Sequence, residues 1–443
     1  MPSASELTQI SASAFDEHHP PSTAIIDTCV HCGFCLQACP TYLLWGQEMD
    51  SPRGRIYLMK MAADGTTAIN SQWVKHFDTC LGCMACSTAC PSGVDYGQLI
   101  EATRAQIERR YERPWLEKLY RQFLFKTFTS STMLRLLRWP LFAYQRSGLR
   151  ALVHRMGLLK LLPRRLQALE ALMPKVPAHR EAIAAKSAHR PARRRVGLIL
   201  GCVQREFLPQ INAATARVLT AEGCDVIAPA EQGCCGALLL HAGEESKALN
   251  FARHMIEVFE RAEVDTIIVN AGGCGSSLKE YGHLLRDDPK YATRGQRFAA
   301  KCQDISEFLA QLEPLAVRHP LQSKVAYHDS CHLQHAQKVR TAPRALLSQI
   351  PGLQLLEIPE APICCGSAGI YNLVQPATAD VLGDRKAELI APLGADIVAT
   401  GNPGCILQLR SALARSGRNI PVVHTIQVLD ASIRESTSDV LAS

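Results

Sequence analysis

Three features are missing from this chain. It does not open with a basic start followed by an apolar run. The first 28 residues instead carry Asp16, Glu17, His18, His19 and three prolines, so no secretory signal is read and a cytoplasmic location is expected. No uninterrupted apolar stretch reaches the roughly 18 to 20 residues that span a bilayer, because Arg, Lys or His breaks every candidate between Leu116 and Leu172. No G-x-G-x-x-G after a strand, nor any other flavin or nicotinamide fingerprint, occurs. A chain that is exported, crosses the membrane or removes hydride on its own is therefore not expected.

What is present points elsewhere. The 443 residues, 47% apolar and 20% charged, suffice for two or three domains with their own cores. Eighteen cysteines are too many to leave unexplained. In a reducing compartment, short regular Cys spacings mean metal or redox chemistry rather than a disulfide framework. The net charge of +7 conceals an asymmetry, since residues 104–195 hold 22 Lys and Arg against 5 Asp and Glu, leaving 26 against 36 elsewhere. Such a basic segment suits an anionic partner, a lipid surface or an acidic subunit face, and nothing else in the sequence points to nucleic acid.

Composition divides the chain into a flexible N-terminus (1–20), a cysteine-dense head (21–102), a basic helical region (103–195) and a tail of two modules (196–315 and 321–435). The expected fold is mixed: an α-helical two-cluster ferredoxin-type head, a helical basic middle and duplicated α/β modules.

The head contains two full C-x2-C-x2-C-x3-C-P runs, Cys29, Cys32, Cys35, Cys39 before Pro40 and Cys80, Cys83, Cys86, Cys90 before Pro91. Three thiolates two residues apart wrap one corner of an iron-sulfur cube, and in two-cluster ferredoxin folds the fourth cysteine serves the other cluster. The expected ligand sets for two [4Fe-4S] clusters are Cys29, Cys32, Cys35 and Cys90, and Cys80, Cys83, Cys86 and Cys39. Gly33 and Gly82 allow the backbone N–H groups to approach the sulfurs. Two zinc sites would also use C-x2-C pairs, but zinc takes four ligands and has no use for a third tandem cysteine or the following proline. Between the runs, Ser51-Pro52-Arg53-Gly54-Arg55 reads as a helix start with a Ser cap and Pro at the first position. Arg53 and Arg55 are also candidates to offset cluster charge or grip a partner.

The tail repeats itself. Cys202, Cys234-Cys235-Gly236 and Cys274 recur as Cys331, Cys364-Cys365-Gly366 and Cys405, at offsets of 129, 130 and 131 residues. Near-equal offsets mark a duplication. In each copy a strand (Val196 to Leu200, Val325 to Tyr327) runs into a cysteine, a second strand precedes Cys-Cys-Gly, and a third (Thr266 to Asn270, Asp396 to Thr400) ends at a turn carrying the last cysteine. Strands alternating with helices imply a parallel sheet with ligands beyond the strands' carboxyl ends, and two modules packed as a pseudo-symmetric pair.

CVHCGFC, ACPTY, DSPRGRIYLMK, CLGCMAC, ACPSGV and the two Cys-Cys-Gly modules together resemble the iron-sulfur subunit of bacterial glycolate dehydrogenase (glycolate oxidase) over nearly the whole chain. The resemblance implies work with flavin-containing subunits that carry FAD, oxidise glycolate to glyoxylate and hand electrons through this chain to a quinone. Related D-lactate and glycerol-3-phosphate dehydrogenase subunits, and heterodisulfide reductase subunits, share its parts. In the last, Cys-Cys-Gly motifs bind a non-cubane iron-sulfur cluster and end in C-x-x-C; here the final positions are Ser277 and Gln408. That departure puts disulfide-reductase chemistry in doubt. It leaves three readings for Cys202, Cys234, Cys235, Cys274, Cys331, Cys364, Cys365 and Cys405: a further cluster, a zinc or other ion, or a docking surface shaped by vestigial cysteines. His328 and His332 are either donors to a cluster sulfur or simply hydrogen-bonded. Cys224 and Cys302, outside the repeat, are expected to pack as small apolar groups. In residues 115–172, Trp115, Phe123, Phe125, Phe128, Trp139 and Phe142 interleave with Arg121, Lys126, Arg135, Arg138, Arg146 and Arg150. That pattern suits peripheral binding to the cytoplasmic face of the inner membrane, or helices that clamp head to tail.

Overall fold

The computed structural model describes residues 13–178, 183, 185–186 and 191–437. They fall into two compact units, Met1–Leu119 with Leu239–Glu245, and Tyr120–Leu238 with Ser246–Ser443. No helix among the described residues is long and apolar enough to cross a membrane.

The first unit is helical. Pro40–Trp45 starts at Pro40 with Cys39 as its cap residue. Pro52–Ala63 begins as the sequence pattern implies, with the Ser51 hydroxyl accepting the Gly54 N–H at 3.0 Å and proline in the first turn. Asn70 and Asp95 cap Ser71–Asp78 and Tyr96–Arg110 in the same way. The apolar faces of these helices close around Ile56, Met59, Trp73, Phe77, Leu99, Ile100 and Ile107. Within the stretch expected to be flexible, the described part is fastened. Phe15 is buried in this core, and the Asp16 carboxylate accepts from Arg109 and Gln106. Residues 1–12 lie outside the described residues.

The second unit holds both modules. In the first, β1 (Arg194–Leu198), β2 (Cys224–Ile227), β3 (Thr266–Val269) and β4 (Cys302–Asp304) form a parallel sheet ordered β2-β1-β3-β4. In the second, β5 (Ser323–His328), β6 (Leu353–Glu357), β7 (Ile397–Thr400) and β8 (Val422–His424) repeat it as β6-β5-β7-β8. The fourth strand of each module was not anticipated. Both sheets are largely apolar, with Val196, Leu198, Ile268, Val325, Tyr327, Ile397 and Val398 in one continuous core.

The two modules exchange helices reciprocally. Pro209–Ala221 of the first packs on Thr425–Ile433 of the second, and Thr341–Ser348 of the second packs on Ile305–Ala310 of the first. Arg217 grips Asp430 through two parallel bonds, Nε to Oδ1 at 3.0 Å and Nη2 to Oδ2 at 2.6 Å. The helices that precede the modules join this unit: Ser131–Arg146 packs on Cys202–Phe207 around Leu134 and Phe207, and Arg164–Ala171 packs on Tyr371–Val374.

Candidate metal centres

The head cysteines wall two neighbouring cavities. One is lined by Cys29, Cys32, Cys35 and Cys90, and the other by Cys39, Cys80 and Cys83, with Cys86 bordering both. Each fourth cysteine thus stands with the other run's first three. The outer cavity is partly open, with Cys32 exposed, while Cys39, Cys80, Cys83 and Cys86 are buried. Positive φ at Gly33 and Gly82 coils both loops, and a Cβ at Gly33 would come within 2.9 Å of Arg53 Nη1.

Single-ion sites do not match these sulfurs. Zinc holds its sulfurs at about 2.3 Å, which draws them together, yet among the described residues the one group of potential ligands converging within 4.8 Å is His18, His19 and Glu245. Two sets of four sulfurs, each walling its own cavity, fit clusters instead. None of the eighteen cysteines is in a disulfide.

Polar groups already face the inner sulfurs. Gly82 N–H donates to Cys80 Sγ at 3.4 Å, Tyr96 Oη stands 3.6 Å from the same sulfur, and Thr41 Oγ1 lies 3.2 Å from Cys39 Sγ. Arg55 is 1% exposed and donates to His76 O at 2.6 Å and Thr41 Oγ1 at 3.1 Å, with Asp50 Oδ1 at 3.5 Å. Burial opposes its charge, but Cys80, Tyr96, Cys39 and Asp50 outweigh that and hold its pKa above the ordinary arginine value. Conversely, burial alone would raise the Cys80 thiol, while Arg55, Arg104, the Gly82 N–H and Tyr96 bring it below the ordinary thiol range. Arg53 acts elsewhere, clasping Glu48 at 2.6 Å and donating to His31 O at 3.0 Å on the rim of the outer cavity. These residues fit a pair of iron-sulfur clusters, which pass single electrons when bound. The chain's own contribution is to space the thiolates, shield the inner set and place N–H and guanidinium donors beside it.

The tail brings each module's four cysteines together where β1 meets β3 and β5 meets β7, the point at which strand order reverses and ligands bind in such sheets. Cys202 and Cys234 sulfurs are 3.6 Å apart, and Cys235 contacts both Cys234 and Cys274. In the second module Cys331 and Cys364 are 3.9 Å apart, with Cys365 linking Cys364 to Cys405. Five of the eight resist ionising as thiols. Cys365 is pushed to about 12, first by its neighbour Cys364 and then by burial, and Cys234, Cys274, Cys364 and Cys405 also sit high. Only a bound cationic centre makes such a packed set ionise together.

Ser277 and Gln408, where a fifth cysteine was missing, are buried parts of the fold; Gln408 Nε2 donates to Ala379 O at 2.8 Å and its carbonyl accepts from Asn372. His332 Nδ1 lies 2.9 Å from Ser276 Oγ across the module boundary, and His328 Nδ1 lies 3.1 Å from Thr400 Oγ1, so the hydrogen-bonded reading accounts for one nitrogen of each. Cys224 and Cys302 are buried in β2 and β4 as apolar groups, and burial raises both thiols.

Sequence reasoning missed Asn402 and Lys386. Asn402 accepts from Gly273 N–H and donates to Cys405 Sγ, both at 3.4 Å, tying one module's last loop to the other's cysteine. Lys386 is buried on the core face of Pro376–Ile390. A lysine in register with Ala379, Leu382 and Ile390 was the available signal.

These features define an iron-sulfur electron carrier with a two-cluster head and paired cysteine-rich modules. Family comparison agrees. Residues 25–94 match the 4Fe-4S dicluster domain, 196–279 and 325–410 the cysteine-rich domain, and 116–173 the linker region of the glycolate oxidase iron-sulfur subunit. The probable glycolate oxidase iron-sulfur subunit of Bacillus subtilis is 38% identical, covering 93% of this chain and 94% of that one. The glycolate oxidase iron-sulfur subunit of Escherichia coli is 35% identical over 93% and 95%. The chain belongs to the glycolate oxidase iron-sulfur subunit family. A lactate utilization protein A from Exiguobacterium is 30% identical over 54% of this chain. A hypothetical protein from Helicobacter pylori of solved structure shares the fold, with TM-score 0.56 at 10% identity over 88% of this chain and 69% of its own.

Proposed function

We propose that this chain is the electron-transfer subunit of a glycolate-oxidising complex: FAD on partner subunits takes electrons from glycolate to form glyoxylate, and two [4Fe-4S] clusters here relay them toward a quinone-type acceptor. The observation that carries this reading is the pair of cavities with crossed cysteine sets. Cys29, Cys32, Cys35 and Cys90 hold the outer cluster, and Cys80, Cys83, Cys86 and Cys39 the inner one. The tail quartets offer a further cluster site. The working division is 21–102 for electron relay, 103–195 for attachment, and 196–315 and 321–435 for the modules.

Two surfaces support the partner assignments. Val30 and Phe34 are 68% and 67% exposed beside the outer cysteines, an apolar rim on which a flavin-containing subunit docks within electron-transfer reach. Leu136 and Trp139 are exposed on Ser131–Arg146, which packs on Cys202–Phe207 of the first module, and Leu152 and Leu161 are exposed on the two short helices that follow, among the basic residues of 104–195. That combination suits both readings of this region at once, an inner clamp and an outer face lying on anionic lipid.

The test is anaerobic co-purification with the flavin subunits, following cluster reduction on adding glycolate. Reduction by glycolate in the complex and none without the flavin partner supports the relay. Turnover of a disulfide by this chain alone favours the heterodisulfide-reductase-like alternative. Because lactate utilization proteins align over half the chain, lactate is the second donor to offer.

A further inference from the structure

The two modules are copies in topology, but not around their cysteines. Val196 pairs with Thr266 as Val325 pairs with Ile397, which sets Ile199 opposite His328 in the superposed sheets. Gly236 lies against Ala248 as Gly366 lies against Ala379, which sets Met255 opposite Lys386. Counting back from the last cysteine sets Ala271 opposite Asn402. In each pair the first module has an apolar side chain and the second a polar or cationic one.

Lys386 is the most informative of the three. It is 1% exposed, its Nζ donates to the Glu360 carbonyl, and it forms no ion pair with a carboxylate among the described residues. A buried ammonium without a counter-anion is strongly unfavourable. Among the groups that favour its charge, the Cys365 and Cys364 sulfurs act ahead of the Glu360 and Asp329 carboxylates. His328 is 2% exposed, its Nε2 has no hydrogen-bond partner, and Lys386 lies within its electrostatic reach. Asn402 adds an N–H donor at Cys405.

We infer that the second module carries the tail's redox cluster, on Cys331, Cys364, Cys365 and Cys405, with Lys386 as its buried counter-charge and His328 and Asn402 beside it. The first module, with Met255, Ile199 and Ala271 in those places, serves as its structural partner. This rests on the reading that the tail holds a cluster at all. Reduction adds one electron, supplied by the head clusters, to an already anionic group. No bond breaks, and Lys386 keeps its proton and offsets the added charge. It is a positioning residue, acting on the cluster's potential.

The experiment uses the full chain, purified anaerobically, with iron analysis and potentiometric electron paramagnetic resonance. Cys364→Ala with Cys365→Ala should remove iron and one signal while the head signals persist, and Cys234→Ala with Cys235→Ala should leave that signal. Lys386→Met should shift the tail cluster's reduction equilibrium at least tenfold toward the oxidised form, about 59 mV for one electron. Lys386→Arg should restore it. Loss of that cluster's iron in Lys386→Met, with head signals and Lys386→Arg intact, also supports the inference. An unshifted potential in Lys386→Met overturns the role of Lys386, and iron lost only with the Cys234 and Cys235 pair overturns the choice of module. If neither pair changes iron, the tail-cluster reading itself falls.

Discussion

Replacing Arg55 with methionine is the most discriminating perturbation of the head. The methionine keeps most of the apolar stem but removes a guanidinium that is 1% exposed and bonded to His76 O, Thr41 and Thr79. Breaking a buried ion pair costs about 3–5 kcal/mol because its partner is left unpaired. Asp50 would retain His76 Nδ1 at 2.9 Å and Thr79 Oγ1 at 3.1 Å, which points to the lower end, about 3 kcal/mol. For a unit of this size that is a fall in Tm of about 10 °C. Arg55→Met with Asp50→Asn should recover part of it, since no lone charge remains. The inner cluster should become harder to reduce, because the cation that acts most on Cys80 is gone, while the outer one changes little. Thermal melts of the anaerobic protein and potentiometric titration read both effects. A single variant that melts like the parent, with both potentials unmoved, would refute the electrostatic reasoning.

Other substitutions give further expectations. Gly54→Ala places a Cβ 2.0 Å from Glu48 O, a backbone atom that cannot swing aside, so it should destabilise the head by about 1–3 kcal/mol or more in a melt. Asp304 caps Ile305–Ala310, and burial, only partly offset by Ser306, lifts its carboxyl to about 6. A raised carboxyl favours the folded state most below about pH 4 and loses that advantage as pH rises through 6, worth about 3 kcal/mol at most. Asp304→Asn should therefore flatten the dependence of Tm on pH between about 4 and 6, and an unchanged profile would count against it. Changing Arg138, Arg146 and Arg150 to Gln should weaken sedimentation with anionic vesicles at low salt; equal binding with and without the charges would remove the membrane from the account.

Much of the site could be read from the sequence because its signals are periodic. Two C-x2-C-x2-C-x3-C-P runs and three nearly constant offsets identified the head, the duplication and the cysteines each module gathers. The cap at Ser51 and the leading strands of each module were equally legible. What escaped were features set by tertiary contact. β4 is three residues long and starts at Cys302, too short for any alternating pattern to show. Arg55 read as one of two arginines on a helix, and only packing separates it, buried beside Cys80, from Arg53 on the rim. Lys386 lies in an otherwise ordinary amphipathic helix, and its meaning appears only when it is set against Met255.

The central claim is that eight head cysteines hold two [4Fe-4S] clusters in crossed sets. Iron analysis with low-temperature electron paramagnetic resonance, before and after dithionite, tests it most directly on anaerobic protein lacking both tail cysteine pairs. About eight irons per chain with coupled reduced [4Fe-4S] signals are expected, and Cys39→Ala should then remove the buried cluster held by Cys80, Cys83 and Cys86 while sparing the outer one. Zinc in place of iron, or loss of the outer cluster in Cys39→Ala, would contradict it.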